Sequence, residues 1–153
     1  MPTPAKLVCA VLFAVLGWWT GETIVREVLP EGVVVGRFRE WIALGGLIVG
    51  WKYIGRVCSG EMNKGTTMTR AVTAGIGGAF VLMLLGLVLH SFSVMIIESL
   101  DSKYTEVGPA AAAWMEYLWE DAQLIVNPIV LGTFFGGAAV VGLIGGIVGR
   151  TLR

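Results

Sequence analysis

Two long stretches of the chain, residues 71–97 and 129–148, contain no aspartate, glutamate, lysine or arginine. A helix needs ~20 mostly apolar residues to cross the roughly 30 Å hydrocarbon core of a bilayer, and both stretches are long enough. Charged residues make up only 14% of the 153 residues, against about 25% in a typical soluble domain. The chain has too little polar surface to cover a water-soluble globule, so we predict that lipid surrounds much of it.

The first apolar stretch, residues 6–25, begins in the same way as a signal peptide, with the basic residue Lys6 before a short apolar core. A signal peptide ends in small residues that allow cleavage, whereas Trp18 and Trp19 occupy that place here. Tryptophan is enriched where a helix leaves the membrane. We therefore predict a retained membrane anchor with both tryptophans at the outer interface.

The second apolar stretch, residues 41–57, is interrupted by Lys52 and Arg56, which lie one helical turn apart. Its strongly apolar side chains contribute about −2 to −4 kcal/mol to insertion, and a lysine at the bilayer centre costs about +2.5 to +3.5 kcal/mol. These terms nearly cancel, so insertion requires the lysine to leave the centre, which its long stem allows. Trp51 and Tyr53 flank it, as aromatic residues do at a membrane edge. We predict a fourth span that leaves the membrane near Lys52.

The orientation follows from the basic residues, which are more frequent on the cytoplasmic side of a membrane. With four spans and a cytoplasmic N-terminus, the inner segments hold Lys6, Lys52, Arg56, Lys64, Arg70, Arg150 and Arg153, and the outer segments hold Arg26, Arg37, Arg39 and Lys103. A rival arrangement has three spans and an outer N-terminus, and it leaves only Lys6 and Lys103 outside. Residues 52–70 and the C-terminus are cytoplasmic in both. We favour four spans because aromatic residues bracket residues 41–57.

The predicted fold is an all-α integral membrane protein with one membrane domain over residues 1–153. Its four transmembrane helices lie approximately at residues 6–25, 41–57, 71–97 and 128–149. Residues 110–127 form an amphipathic interfacial helix before the last span, because apolar side chains such as Trp114 and Leu118 recur on one face and acidic side chains lie opposite. This helix is either a lid packed over the bundle or a docking face for another subunit.

Glycine is abundant, with 22 residues, and several glycines recur at four-residue spacing within the spans. Such small faces let membrane helices approach closely. The predicted helix-packing residues are Gly46, Gly50, Gly132, Gly136, Gly142 and Gly146. Packing within one chain, a homo-oligomer and a complex with other membrane subunits all fit this pattern.

Groups that carry chemistry are scarce in the sequence. His90 is the only histidine, so the chain lacks the two histidines that would hold a membrane haem, and we interpret His90 as a packing residue. The sequence has no zinc-type ligand cluster and no phosphate-binding loop, and we interpret Cys9 and Cys58 as reduced packing residues. We therefore predict a non-enzymatic protein without cofactor, metal or nucleic-acid partner. The candidates for contact with an anion or a lipid headgroup are Lys52, Arg56, Lys64 and Arg70.

Four short segments carry a resemblance to a known family: "PTPAKLV" near the N-terminus, "LPEG" at residues 29–32, "GWKYIGR" at residues 50–56 and "NPIVLGTFFGG" at residues 127–137. In these segments, and in length and span order, the chain resembles the TrgA family of bacterial membrane proteins, which is linked to tellurite resistance. The resemblance implies a multi-pass protein of the inner membrane, and it supplies no catalytic residues. The expected function is a non-enzymatic role in tolerance of an oxyanion such as tellurite. The alternative is an accessory subunit of a larger membrane complex.

Overall fold

In the computed structural model, which describes residues 3–28, 36–61, 67–101 and 106–151, every secondary-structure element is helical. The elements are α1 (Pro4–Glu27), α2 (Phe38–Val49), a π-helical turn (Gly50–Ile54), α3 (Gly55–Cys58), α4 (Met68–Leu100), α5 (Val107–Ile125) and α6 (Pro128–Thr151). By length and apolar composition, α1, α4 and α6 could each cross a membrane. The predicted all-helical fold class is confirmed for these residues. The number of spans that they support is three, since α2 has only 12 residues.

Local sequence signals explain where α1 and α6, the first and last helices of the chain, begin. Thr3 lies in an extended conformation, and its hydroxyl accepts a hydrogen bond from the Lys6 N–H at 3.4 Å. Pro4 then occupies the first helical position, where its missing N–H costs nothing. At the start of α6, the Asn127 side chain accepts from the Ile129 N–H at 2.9 Å and Pro128 follows it. Each helix therefore begins with an N-cap residue and a proline.

The second apolar stretch forms an unbroken helical rod from residue 38 to residue 58, composed of α2, the π-helical turn and α3. We refer to it as the α2–α3 rod. It lies antiparallel to α1, since Gly17 faces the Ile42 backbone near one end of the contact and Gly55 faces Lys6 near the other. At about 1.5 Å per residue the rod is roughly 30 Å long.

The helices pack through small residues. A Cβ added to Gly75 would overlap the Ala138 carbonyl oxygen, so α4 and α6 approach each other backbone to backbone. Close approach at glycine and alanine is the usual packing mode of membrane helices. The core also holds larger side chains such as Phe13 and Phe134, whose ring centroids lie 6.3 Å apart. Neighbouring helices α1 and α6 therefore meet in a mixed aromatic and small-residue core.

Helix α5 packs along the last three turns of α4. The Phe92 and Trp114 rings meet edge to face with centroids 5.6 Å apart, and the Tyr117 hydroxyl donates to the Glu98 carboxylate. We predicted a helix at residues 110–127 that lies on the membrane surface. The helix forms at Val107–Ile125 and packs against the end of α4, where its polar groups find partners. Its placement at the membrane surface stays a prediction.

Candidate functional site

The π-helical turn at Gly50–Ile54 holds the predicted cationic residue Lys52, and Arg56 follows it in α3. The Gly55 N–H donates to the Gly50 carbonyl five residues earlier, so the turn contains one residue more than an α-helical turn. Ile54 is fully buried, whereas Lys52 and Arg56 are exposed. Single π-helical turns inside α-helices occur often at functional sites. The turn therefore separates a buried apolar face from an exposed basic one.

The remaining predicted cationic residues have different settings. Arg70 is exposed in the first turn of α4. Lys64 lies outside the described residues. Arg150, which the charge bias also assigned to the cytoplasmic side, is exposed in the last turn of α6. Antiparallel packing brings the start of α1, the end of α3, the start of α4 and the end of α6 to one end of the bundle, which we call the basic end.

An ion pair between Lys6 and Glu61 joins the start of α1 to the turn after α3. Gly60 has a φ of 76°, the Gly60 N–H donates to the Val57 carbonyl at 3.2 Å, and the Glu61 N–H donates to the Arg56 carbonyl at 3.2 Å. This is the Schellman arrangement, which ends helices at a glycine. It turns the chain so that Glu61 meets Lys6, whose side chain is only 7% exposed.

This ion pair makes stability depend on pH. The Lys6 ammonium, by its hydrogen bond, lowers the pKa of Glu61. A lowered carboxyl pKa stabilises the folded chain above the pKa of unfolded glutamate, and the contribution is lost as the pH falls through the lowered pKa. We expect Glu61→Gln to lower the Tm at about pH 7, and the difference from the unchanged protein to become smaller near pH 3, below the usual glutamate pKa of about 4.3.

Thermal unfolding in detergent, followed by circular dichroism at both pH values, measures this difference. Glu27→Gln is the matched control, because Glu27 is an exposed carboxylate at the opposite end of α1. Equal losses of Tm for Glu61→Gln at the two pH values would show that the effect is not carried by the charge of Glu61.

The predicted packing glycines fall into two groups. A Cβ on Gly46 would lie 2.5 Å from the Phe13 carbonyl oxygen, and a Cβ on Gly50 would lie 2.6 Å from that of Cys9. Added Cβ atoms at Gly142 and Gly146 would likewise meet α4, at Ala71. For Gly132 and Gly136 we predicted the same role, but both are exposed and a Cβ there would meet nothing within 4 Å.

The reason for the difference is helix phase. Ten residues separate Gly132 from Gly142, and at 3.6 residues per turn this rotates one about 80° away from the other. Gly132 and Gly136 therefore lie on the side of α6 opposite Phe134 and Ala138, which are buried.

At the other end of the bundle, polar side chains pair between helices. The His90 Nδ1 lies 2.8 Å from the Asp121 Oδ2, and the His90 ring meets the Phe38 ring with centroids 5.9 Å apart. Glu22 pairs with Arg39, whose Nε lies 2.8 Å from its carboxylate. His90 thus connects α4 to α5 through Asp121, a contact that the sequence analysis missed because the two residues lie 31 positions apart.

Within the described residues, no group of three or more histidine, cysteine, aspartate or glutamate side chains could hold a metal ion. An apolar groove on α1 is lined by Leu7, Val8, Val11 and Leu12. Such a surface suits an acyl chain better than a polar substrate. The exposed basic end and the paired polar groups at the opposite end are therefore the features with electrostatic character.

The fold is all-helical in the described residues, and three of its helices are long and apolar enough to cross a membrane, which suggests the class of helical membrane proteins. Comparison with protein-family models, with curated proteins and with solved structures found no match in any of the three.

Proposed function

We propose that the protein is a four-span protein of the bacterial inner membrane that supports tolerance of an oxyanion such as tellurite without catalysing a reaction. The observation that carries this proposal is the exposure of Lys52 on the π-helical turn and of Arg56 in the adjoining α3. This turn lies in the "GWKYIGR" segment, which is one of the segments that resemble the TrgA family. Two exposed cations on a membrane helix can attract an anion or a lipid headgroup.

The contact between the α2–α3 rod and α1 supports a fourth span. The rod follows α1 over about 30 Å, which matches the hydrocarbon thickness of a bilayer. The Arg39–Glu22 pair lies near one end of this contact and the Lys6–Glu61 pair lies at the other. Charged groups at both ends and an apolar middle are what a pair of spanning helices requires.

The charge distribution supports an orientation in which the basic end faces the cytoplasm. Lys6, Arg56, Arg70 and Arg150 lie there, and basic residues favour the cytoplasmic side. Both chain ends would then lie in the cytoplasm. In this orientation α4, whose 33 residues extend over roughly 50 Å, reaches beyond the outer surface together with α5. The exposed side chains of Met115, Trp119 and Val126 would then meet the outer interface.

Substitution of the two exposed cations tests the proposed function. We expect deletion of the gene to lower the tellurite concentration that cells tolerate, and Lys52→Ala with Arg56→Ala to restore tolerance only in part, because the attraction for an anion is weakened. Growth on graded tellurite measures both. The matched control is Arg26→Ala with Arg37→Ala, which removes two exposed cations at the opposite end. Unchanged tolerance after a clean deletion, with the intact protein expressed in the parent strain, would overturn the proposal.

A second candidate function, an accessory subunit of a membrane complex, is favoured by one specific observation. Gly132 and Gly136 are exposed and a Cβ on either would meet nothing within 4 Å, although paired glycines usually admit a neighbouring helix. Purification in a mild detergent tests this candidate. A second membrane subunit or a second copy retained through two columns would support it, and a monomer at every concentration would contradict it.

A further inference from the structure

Two cysteine side chains from different helices meet in the bundle core. Cys9 of α1 and Cys58 of α3 are both fully buried. Both face Gly145 of α6, where an added Cβ would overlap the Cys9 sulfur and lie 3.0 Å from the Cys58 sulfur. The absence of a side chain at Gly145 therefore provides the space in which the two sulfurs meet.

A third sulfur lies beside the neighbouring glycine. Met68 is the first residue of α4, and its Sδ lies 3.4 Å from the position that a Cβ on Gly146 would occupy. Methionine is unbranched and adapts its side chain to irregular gaps. We refer to Cys9, Cys58 and Met68 as the sulfur site. Three helical elements thus place sulfur atoms against two adjacent residues of α6, the two thiols at Gly145 and the thioether at Gly146.

The donor set determines which ion such a site would suit. Thiolate and thioether sulfurs are soft ligands and select soft ions such as Cu(I), whereas Mg²⁺ and Ca²⁺ take oxygen ligands. Structural zinc sites use four ligands, and the described residues hold no cluster of three or more His, Cys, Asp or Glu side chains. The two thiolates fit a soft monovalent ion of low coordination number, and the Met68 thioether lies beside the next residue of α6.

We propose that the sulfur site binds one soft monovalent metal ion of the Cu(I) or Ag(I) class. On binding, the two S–H protons leave, two sulfur–metal bonds form, and no electron is transferred. The metal with two thiolates carries one negative charge. Glu61, which is 43% exposed, follows Cys58 by three residues, so the site lies toward the basic end of the bundle.

Silver ion, which does not change oxidation state with thiols under mild conditions, is the probe. The full chain is purified in detergent, loaded with silver ion alone, separated from excess metal and analysed for bound silver. We expect one ion per chain and the release of two protons in weakly buffered solution, because metal binding displaces thiol protons. Cys9→Ser and Cys58→Ser should each weaken binding by more than the roughly 100-fold that loss of a supporting partner costs.

Met68→Leu is expected to weaken binding less than either cysteine substitution, and Met115→Leu is its control because Met115 is exposed on α5. Helical content of every variant is checked by circular dichroism, and a variant that loses it is replaced by the corresponding alanine. Silver retained by a folded Cys9→Ser, Cys58→Ser double variant would overturn the proposal. A native chain that takes up no silver would also overturn it. In that case, closure of a Cys9–Cys58 disulfide by a mild thiol oxidant would show only that the two sulfurs are close, and would not support the proposal. Neither result bears on tellurite tolerance, which is measured separately.

Discussion

Gly142→Ala is expected to destabilise the bundle by about 1 to 3 kcal/mol, the usual cost of overpacking a core. An added Cβ would overlap the Ala71 carbonyl oxygen and lie 3.0 Å from its carbonyl carbon. Alanine is favoured over glycine in a helix by up to about 1 kcal/mol, so propensity alone predicts the opposite sign. The clash should win because the contacted atoms belong to the backbone of a neighbouring helix, which moves only if α4 and α6 separate.

Gly136→Ala is the matched control on the same helix. A Cβ there would meet nothing within 4 Å, so we expect unchanged or slightly raised stability. Unfolding in detergent micelles titrated with sodium dodecyl sulfate, followed by circular dichroism, gives both free energies of unfolding. Equal effects of the two substitutions would show that the α4–α6 contact is not as close as described.

Ile54→Ala is expected to cost about 2 to 5 kcal/mol, the range for truncating a large buried aliphatic side chain. Ile54 is fully buried in the π-helical turn, and its Cδ1 lies 2.7 Å from the position that a Cβ on Gly78 would take. The loss would leave a cavity between the α2–α3 rod and α4. This prediction tests whether the α2–α3 rod belongs to the bundle core.

Ile48→Ala is the control, because Ile48 lies on the same rod but is 50% exposed. We expect it to change the free energy of unfolding by less than about 1 kcal/mol. If both alanine substitutions have the same small effect, then the rod does not pack against α4 through Ile54.

The positions of the helices could be predicted because the signals are local. The uncharged stretch at 71–97 lies within α4 at Met68–Leu100, and the stretch at 128–149 lies within α6 at Pro128–Thr151. Asn127 and Pro128 mark the start of α6 in the sequence as clearly as in the structure. The second segment was predicted at 41–57 and is helical from 38 to 58, although a π-helical turn within it left no signal in the residue pattern.

What the sequence did not indicate depends on contacts between distant residues. The glycine spacing is the same at Gly132–Gly136 and Gly142–Gly146, and only the phase of α6 against its neighbours separates them. The orientation of α5 depends on pairing with α4, as at Asp121 and His90. Cys9 and Cys58 lie far apart in the chain and meet only because α1 and the α2–α3 rod are antiparallel. The candidate cations were identifiable from charge, but their exposure was not.

The central claim is that four helical rods cross the membrane with the basic end in the cytoplasm. The most direct test is labelling of single engineered cysteines, Arg37→Cys and Asn63→Cys, with a membrane-impermeant maleimide in intact cells. Cys9 and Cys58 are buried and contribute little background. We expect label at position 37 before lysis and at position 63 only after lysis. Label at position 63 in intact cells, or no label at position 37 until lysis, would contradict the account.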